Sequence, residues 1–181
     1  MTHVTVVEIP SYDKLLVFSD AAVCPRPTDE QFKAILGYVL GVCRSLGAER
    51  PKVALIHCTE KVSEKFPHTL SYESMKEMAR NGEYGDCCVD GPMDVKTACD
   101  SDSGAIKGIS SPVVGNADAL IFPNIESGNV FYKTLTLFAK AETAGMLCGT
   151  TAPIVVASRA DSGESKFNSL ALACLADKVN K

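Results

Sequence analysis

Short apolar segments alternate along this chain with longer segments of helical periodicity, and no other sequence feature constrains the fold as strongly. The apolar segments are bounded by turn-forming residues, such as the Pro10–Asp13 stretch after the first one, which is typical of buried strands. We predict two opening strands that form a hairpin, followed by five further strands. The predicted strands are Val4–Ile9, Leu15–Ser19, Val53–His57, Cys87–Val89, Ala119–Phe122, Met146–Cys148 and Ile154–Ala157.

Four other segments predict helices. Thr28 is a candidate N-cap because Gln31 follows three residues later, and apolar residues then repeat at helical spacing as far as Gly47. The remaining helices are predicted over Tyr72–Arg80, Val130–Glu142 and Lys166–Val179, the last with Ser162 as its cap. Alternation of apolar strands with helices favours one three-layer α/β/α domain over residues 1–181, with a mostly parallel sheet and helices on both of its faces.

Composition excludes several classes of function. The 18 Lys and Arg residues against 22 Asp and Glu residues give a formal net charge of -4. No basic cluster is interleaved with aromatic side chains, so nucleic acid is not an expected partner. No apolar run approaches the roughly 18 residues that a spanning helix needs, and the N-terminus lacks a basic segment followed by an apolar one. We therefore expect no membrane association and a cytoplasmic protein.

The eight cysteines and three histidines form no recognisable metal-binding pattern. Most cysteines lie within apolar segments, no CxxC pair is present and the histidines are scattered, so neither a metal site nor a disulfide framework is predicted. The adjacent Cys87 and Cys88 fit either a strand core or a redox switch, and the strand core is favoured. His57 ends an apolar strand, where a hydrogen-bonded structural histidine is more common than a catalyst.

Ligands of open α/β sheets usually bind beyond the carboxyl ends of the strands, so the segments that leave a strand are the candidate sites. Neither a GxGxxG nor a GxxxxGK[ST] motif is present, which disfavours dinucleotide and P-loop phosphate binding. Ser158–Ser162 leads from a predicted strand to a predicted helix and places Arg159 beside a helix N-terminus, a favourable site for an anion. Alternatively, Asp161 or Ser162 only caps the helix and Arg159 makes a surface ion pair.

Two further segments leave predicted strands. Asn124–Asn129 precedes a helix, and its small and amide residues permit close approach of a ligand to the backbone, although a capped turn would explain it equally. Asp90–Met93 contains Asp-Gly-Pro directly after a strand, a sequence that is also common in ordinary turns. The residues predicted to bind substrate are Asp90, Gly91, Pro92, Asn124, Ser127, Gly128 and Asn129.

Five stretches of the chain are characteristic when they are taken together: His3–Leu16, Val89–Pro92, Gly108–Asp118, Phe122–Thr134 and Ala152–Ser162. In this order they resemble the phosphate acetyl/butyryltransferase family, and they extend over nearly the whole chain. The Ala-Asp-Ser sequence that follows Ser158 and Arg159 is most similar to the butyryl branch.

The resemblance implies an isocitrate/isopropylmalate dehydrogenase-like fold without a nicotinamide, and acyl transfer between phosphate and coenzyme A. Ser158 matches the serine near the coenzyme A thiol, and Arg159 the arginine that stabilises charge on the acyl phosphate, which is electrostatic catalysis. In the acetyl branch an aspartate, the proposed base, stands at the position of Ser165, so our hypothesis for the base here is Asp161. Coenzyme A is implied as a substrate, with no permanently bound cofactor and no metal.

Full-length members of the family carry a further N-terminal domain, and this sequence resembles their second domain and C-terminal tail. We expect a phosphate acyltransferase of the butyryl type, which converts acyl-CoA and phosphate to acyl phosphate and CoA. The alternative is a non-catalytic dimerisation or coenzyme A-binding module that needs a partner chain. We also expect a homodimer and consider a separate chain that supplies the missing domain. The apolar helix near Val130–Phe138 is either an interface or a buried helix of the domain.

Overall fold

Six strands form one mixed sheet in the computed structural model, which describes residues 1–159 and 161–176. Across the sheet their order is β4-β3-β5-β2-β1-β6, and β1 is antiparallel to both of its neighbours while the other five strands share one direction. The mostly parallel sheet and the opening hairpin are therefore confirmed. The strands are β1 (Thr2–Glu8), β2 (Leu16–Ser19), β3 (Lys52–Ile56), β4 (Cys88–Met93), β5 (Ala119–Ile121) and β6 (Glu142–Cys148).

The helices of the described residues cover both faces of this sheet, which confirms the three-layer α/β/α architecture. They are α1 (Asp29–Ser45), α2 (His68–Arg80), α3 (Val95–Cys99), α4 (Ser101–Lys107), α5 (Ile125–Phe138) and α6 (Gly163–Leu175). Side chains of α1, α2 and α6 enter one apolar core, and those of α3 and α5 enter the core on the opposite face. Within the described part of the chain, every helix is too short or too polar to cross a bilayer.

Local sequence signals set the start of three helices. Thr28 accepts the Gln31 amide while the Gln31 side chain accepts the Thr28 amide, so the predicted capping box of α1 is confirmed. Ser162 caps α6 as predicted, and Asn124 caps α5. Each such cap satisfies a backbone donor that the first helical turn leaves free, which stabilises a helix by about 1 kcal/mol.

The sequence prediction for β4 is wrong at its carboxyl end. This strand continues through Gly91 and Pro92 to Met93 instead of ending at Val89. Gly91 has a φ of 140°, and a Cβ there would lie 2.5 Å from the carbonyl oxygen of Leu55 on β3, so only glycine permits the two strands to approach this closely. Pro92 has no amide hydrogen to donate to a neighbouring strand. It is tolerated because β4 lies at an edge of the sheet, where one side of the strand has no partner.

Other boundaries also differ from the prediction. The α2 helix begins at His68, directly after Pro67, and α5 begins at Ile125 because the whole Asn124–Asn129 segment belongs to its N-terminal turn. The short helices α3 and α4 were not predicted, since each is too brief to show an apolar period, although Asp94 and Asp100 cap them. Residues 177–179 of the last predicted helix lie outside the described residues.

The predicted strand Ile154–Ala157 is absent as a strand. Only Ile154 pairs with the sheet, through one isolated antiparallel bridge to Leu147 of β6. That bridge and the helix α6 together cover the edge of β6: the Leu147 amide donates to Ile154 at 2.8 Å, and the Gly145 amide donates to the Ser169 hydroxyl at 2.9 Å. The described residues after Ile154 do not continue as a strand, and Asp161 near the end of this segment accepts a hydrogen bond from Tyr132 of α5.

Candidate active site

A cavity of about 210 Å³ lies beside β1 and β6 on the face of the sheet that α5 covers. Alternate side chains of a strand point to one face, and Val7 of β1 packs into the α5 core, so His3 and Thr5 face the same side. The walls are formed by β1, β6, α5, the loop after β2 and the segment that precedes α6. Among the lining residues are His3, Thr5, Asn129, Tyr132, Ser158 and Asp161.

Two of the sequence-predicted segments meet at this cavity. Ser158 and Asp161 line it from the segment before α6, and Asn129 lines it from the first turns of α5. The side-chain amide of Asn129 donates to the carbonyl oxygen of Ala21 at 3.0 Å, which fixes α5 against the loop after β2. Arg159 follows Ser158 and is exposed to solvent. The fold thus brings together residues that are distant along the chain.

Asp161 organises the turn that contains Ser158. Its Oδ2 atom accepts the Ser158 amide at 2.7 Å, and its own amide donates to the Ser158 carbonyl at 3.1 Å. Its Oδ1 atom accepts the hydroxyl of Tyr132 at 2.7 Å. Burial raises the pKa of Tyr132 to about 12, and the bond to Asp161 contributes in the same direction, so Tyr132 is a protonated donor at neutral pH.

His3 forms a fixed wall of the cavity. Its Nδ1 atom lies 3.1 Å from the Thr5 hydroxyl, and the ring also forms a hydrogen bond with the backbone of Val156. Burial lowers the pKa of His3 below its ordinary value, and the nearby carboxylates of Asp20 and Asp161 oppose this only in part. A Cβ at Gly145 would lie 2.7 Å from the ring, so Gly145 makes room for this imidazole.

The other residues of the Asn124–Asn129 segment build the turn itself. Asn124 Oδ1 accepts both the amide and the hydroxyl of Ser127 at 2.9 Å, so these two polar groups are satisfied within the cap. Gly128 lies against the carbonyl oxygen of Asp20, where a Cβ would overlap it. The capped turn is therefore present. The group that approaches the backbone at Gly128 is the protein's own chain, and approach of a ligand to this segment stays a prediction.

Asp20 anchors the loop after β2 and was not predicted from the sequence. It is buried, and its carboxylate accepts five hydrogen bonds that together fix this loop beside the N-terminal end of β1. The donors are the Thr2 hydroxyl and the backbone amides of His3, Ala22, Val23 and Cys24. A buried charge needs this degree of compensation, so Asp20 supports the cavity wall instead of facing the cavity.

Asp90, Gly91 and Pro92 lie elsewhere. Three strands separate β4 from β1, which corresponds to roughly 19 Å at ~4.8 Å per strand. The Gly91 carbonyl accepts the ammonium group of the buried Lys76 at 2.6 Å, and Asp90 Oδ1 accepts the Gly91 amide at 2.8 Å. The geometry does not bring these residues to the cavity, and their role in substrate binding stays a prediction.

The remaining histidines and the cysteines have structural surroundings. His68 Nε2 lies 3.1 Å from His57 Nδ1 at the carboxyl end of β3, so His57 is hydrogen-bonded, as the sequence favoured. Cys87 packs toward one core and Cys88 toward the other, as neighbours along a strand must, which supports the strand-core interpretation of this pair. Within the described residues no group of three potential ligands is arranged to hold a metal ion.

Comparison with known proteins gives these observations a context. A family model described as phosphate acetyl/butaryl transferase matches residues 1–174. The chain belongs to this family. The phosphate butyryltransferase of Clostridium acetobutylicum is 41% identical over 175 residues, and the phosphate acetyltransferase of Thermotoga maritima is 39% identical over 175 residues. Both alignments cover 97% of this chain, so the resemblance seen in the sequence is confirmed.

The phosphate acetyl/butyryl transferase fold is also evident among solved structures. A branched-chain phosphotransacylase from Enterococcus faecalis superposes with a TM-score of 0.85 at 34% identity, covering 97% of this chain and 64% of the other. The two sequence relatives are covered over 58% and 60% of their own lengths. The chain therefore spans about three fifths of the relatives that it matches.

Among the residues of this family member's cavity that sequence reasoning missed are His3, Tyr132 and Lys133. Tyr132 and Lys133 lie within a stretch that carried the family resemblance, and their position four residues or fewer beyond Asn129 on a helix was a usable signal. The Lys133 ammonium lies 4.6 Å from the centroid of the Tyr132 ring and adds a cation to the cavity wall. His3 also begins a stretch that carried the family resemblance, but no spacing along the chain links it to the other cavity residues, because Gly145 of β6 and Val156 of the segment before α6 reach it only in the folded protein.

Proposed function

We propose that this chain catalyses, or forms the catalytic part of a protein that catalyses, the phosphate acyltransferase reaction: acyl-CoA and phosphate give acyl phosphate and CoA. The butyryl type is favoured by the Ala-Asp-Ser sequence and by the similarity to a phosphate butyryltransferase. The observation that carries the proposal is that Ser158, Asp161 and the first turns of α5 border one cavity in a chain of this family.

In this reaction a phosphate oxygen attacks the thioester carbon, the carbon–sulfur bond breaks and the CoA sulfur leaves with the bonding electrons. The proton carried by the attacking phosphate is passed to that sulfur, so the products are acyl phosphate and the CoA thiol. Arg159 is proposed to stabilise the negative charge that develops on the carbonyl oxygen and on phosphate. Ser158 is proposed to donate a hydrogen bond near the sulfur, and the Lys133 cation favours anions at the same cavity.

Asp161 is proposed to carry the proton between phosphate and sulfur. Oδ1 accepts the Tyr132 hydroxyl and Oδ2 accepts the Ser158 amide, and each oxygen retains a second acceptor direction, so the carboxylate can take up a proton without leaving the turn. Ser165 stands where the acetyl branch has its aspartate, and it is buried, with its amide bonded to the Ser162 hydroxyl at 3.0 Å. Asp161 is thus the carboxylate of this segment that borders the cavity.

The substrate groups follow from the same geometry. Coenzyme A is proposed as a substrate and not as a permanently bound cofactor, and Asn129 is the member of the predicted binding set that reaches the cavity. Asn124, Ser127 and Gly128 are proposed to act indirectly, by holding the first turn of α5 in place. A cytoplasmic location belongs to the proposal because all eight cysteines are unpaired, which suits a reducing compartment.

Assembly is a further part of the proposal. Phe138 is 78% exposed at the end of α5, and Phe167 is 70% exposed on α6. Apolar surface of this kind prefers cover. We propose that a homodimer covers one of these surfaces. The other is proposed to be covered by the region that longer relatives possess in addition, supplied by the same chain or by a separate one. If the region that covers these surfaces is also needed to complete the active site, this chain alone has the alternative function, that of a non-catalytic dimerisation or coenzyme A-binding module.

The test is release of CoA thiol from butyryl-CoA and from acetyl-CoA by the purified chain, with and without phosphate. Phosphate-dependent release that falls at least 100-fold in Arg159→Ala and not in the matched surface variant Arg26→Ala supports the acyltransferase. Absence of release at high protein concentration, together with measurable CoA binding, supports the module instead. Light scattering of the same samples measures the oligomeric state.

A further inference from the structure

One hydrogen bond joins the two segments that border the cavity. Tyr132 lies two turns into α5, and its hydroxyl donates to Asp161 at 2.7 Å across 29 residues of sequence. Asp161 in turn accepts the Ser158 amide at 2.7 Å. The backbone of Ser158 is therefore connected to α5 through a single carboxylate.

The Tyr132 ring is well placed to aim this bond. The partly buried ring packs against the core beside Phe18 of β2, with 6.5 Å between the ring centroids, and the Thr143 side chain of β6 is a second hydrogen-bond partner of the hydroxyl. Because two strands and the α5 helix hold the ring, the position of its hydroxyl is set by the sheet. The segment before α6 is held to the sheet in another way: among its described residues Ile154 forms a bridge to β6, and the backbone of Val156 is hydrogen-bonded to the His3 ring.

We propose that Tyr132 is a positioning residue: acting through Asp161, it holds the Ser158–Arg159 backbone where acyl transfer requires it. The chemical consequence rests on the proposed function, whereas the positioning itself does not. The competing explanation is that the two hydrogen bonds between Ser158 and Asp161, one to the carboxylate and one between the backbones, close the turn unaided. The two explanations differ in what happens when the hydroxyl is removed and the ring is kept.

The decisive variant is Tyr132→Phe in the full 181-residue chain, with Tyr12→Phe as the matched control. Tyr12 is also partly buried and also donates over 2.7 Å, but its acceptor is the carbonyl of Ala117, away from the cavity. Amide hydrogen exchange, resolved at Ser158, should become roughly 10- to 100-fold faster in Tyr132→Phe, as expected for loss of a hydrogen bond to a charged group. Exchange in β2 and β5 should stay unchanged, and Tyr12→Phe should leave Ser158 as in the wild type.

A double-variant cycle identifies the route. In an Asp161→Ala background the tyrosine has lost its acceptor, so adding Tyr132→Phe should change Ser158 exchange less than twofold. An additive effect in that background would show that Tyr132 does not act through Asp161 and would overturn the proposal. The proposal is also overturned if the Ser158 amide exchanges at the wild-type rate in Tyr132→Phe. It is likewise overturned if exchange becomes faster throughout the chain and the Tm falls.

Turnover tests the chemical consequence. In Tyr132→Phe, kcat for phosphate-dependent CoA release should fall about 10-fold or more while KM for acyl-CoA changes less than twofold, because a mispositioned Arg159 weakens the transition state more than substrate binding. Faster Ser158 exchange with unchanged turnover would overturn the proposal. If the wild-type chain releases no CoA, the proposed function fails for this chain, and the exchange results alone then decide whether Tyr132 positions the turn.

Discussion

Gly128 at the start of α5 lies against the backbone carbonyl of Asp20 so closely that no side chain fits between them. This contact joins the first turn of α5 to the loop after β2, and neither backbone can move away without breaking hydrogen bonds. Asn129 donates to Ala21 beside it, and Asp20 is fixed by five donors. The cavity wall is therefore built on a direct contact between main chains.

Gly128→Ala should lower the free energy of unfolding by about 3 kcal/mol, because the added methyl group meets backbone and not a flexible side chain. Gly163→Ala is the control, since a Cβ at that position has no neighbour within 4 Å. It should change stability by less than about 0.5 kcal/mol. Urea unfolding followed by circular dichroism measures both values, and equal effects of the two substitutions would contradict the overlap.

Asp20→Asn should destabilise the protein by at least about 3 kcal/mol. An amide group has nearly the same shape as the carboxylate, but its NH2 would face at least two of the five donors that now point at oxygen. Asp13→Asn serves as the control, because the Asp13 side chain makes no hydrogen bond or ion pair with the described residues. Thermal unfolding of the wild type and the two variants measures the effect. Equal Tm values for Asp20→Asn and Asp13→Asn would contradict the proposed role of the five donors.

Acid should weaken the fold through the imidazole pair at the end of β3. Burial lowers the pKa of His68 to about 4, with His57 contributing, and burial also lowers the pKa of His57. Between about pH 6.5 and pH 4 the unfolded chain therefore binds more protons, and stability is lost as the pH falls through this window. Above about pH 6.5 both imidazoles are neutral in the unfolded chain as well, so the histidine pair makes its full contribution to stability.

Urea unfolding at about pH 7 and pH 5 measures this effect. His68→Gln removes one of the two titrating rings and should reduce the stability lost between these pH values by about 1 to 2 kcal/mol. His3, whose pKa is also lowered, remains in both proteins. It should account for part of the pH dependence of stability that persists in the variant. An identical loss in wild type and variant would exclude a role for the pair.

The thiols should separate into distinct reactivity classes. Cys58 and Cys174 are exposed, whereas burial raises the pKa of Cys43 and of Cys148 to about 12, so the buried pair is neither accessible nor ionised. Brief treatment with iodoacetamide at about pH 8, followed by peptide mass spectrometry, should modify the exposed pair first. All eight should react in urea, and early modification of Cys43 in the native protein would contradict the packing around it.

Features set by neighbouring residues could be predicted from the sequence, and features set by distant ones could not. The capping box of Thr28 and the Ser162 cap depend on side chains three residues away, so both were predicted correctly. The path of β4 depends on how Gly91 approaches Leu55 on another strand, and no local pattern carries that information.

The candidate site shows the same division. Ser158 and Asp161 were found because their segment has a recognisable sequence, but their connection to Tyr132 exists only after α5 has packed on the sheet. Asp90–Pro92 was selected by the same kind of local pattern, yet the strand order places it across the sheet. Sequence pattern thus indicates which segments leave strands, and topology decides which of them meet.

The pairing of β1 with β6 has a consequence for how the protein is made. These strands are the first and last of the sheet along this chain, while the hairpin of β1 and β2 can form locally. During synthesis one edge of β1 must therefore stay unpaired until β6 has also left the ribosome. Because His3 and Gly145 meet in this pairing, the cavity cannot take shape before β6 has been made.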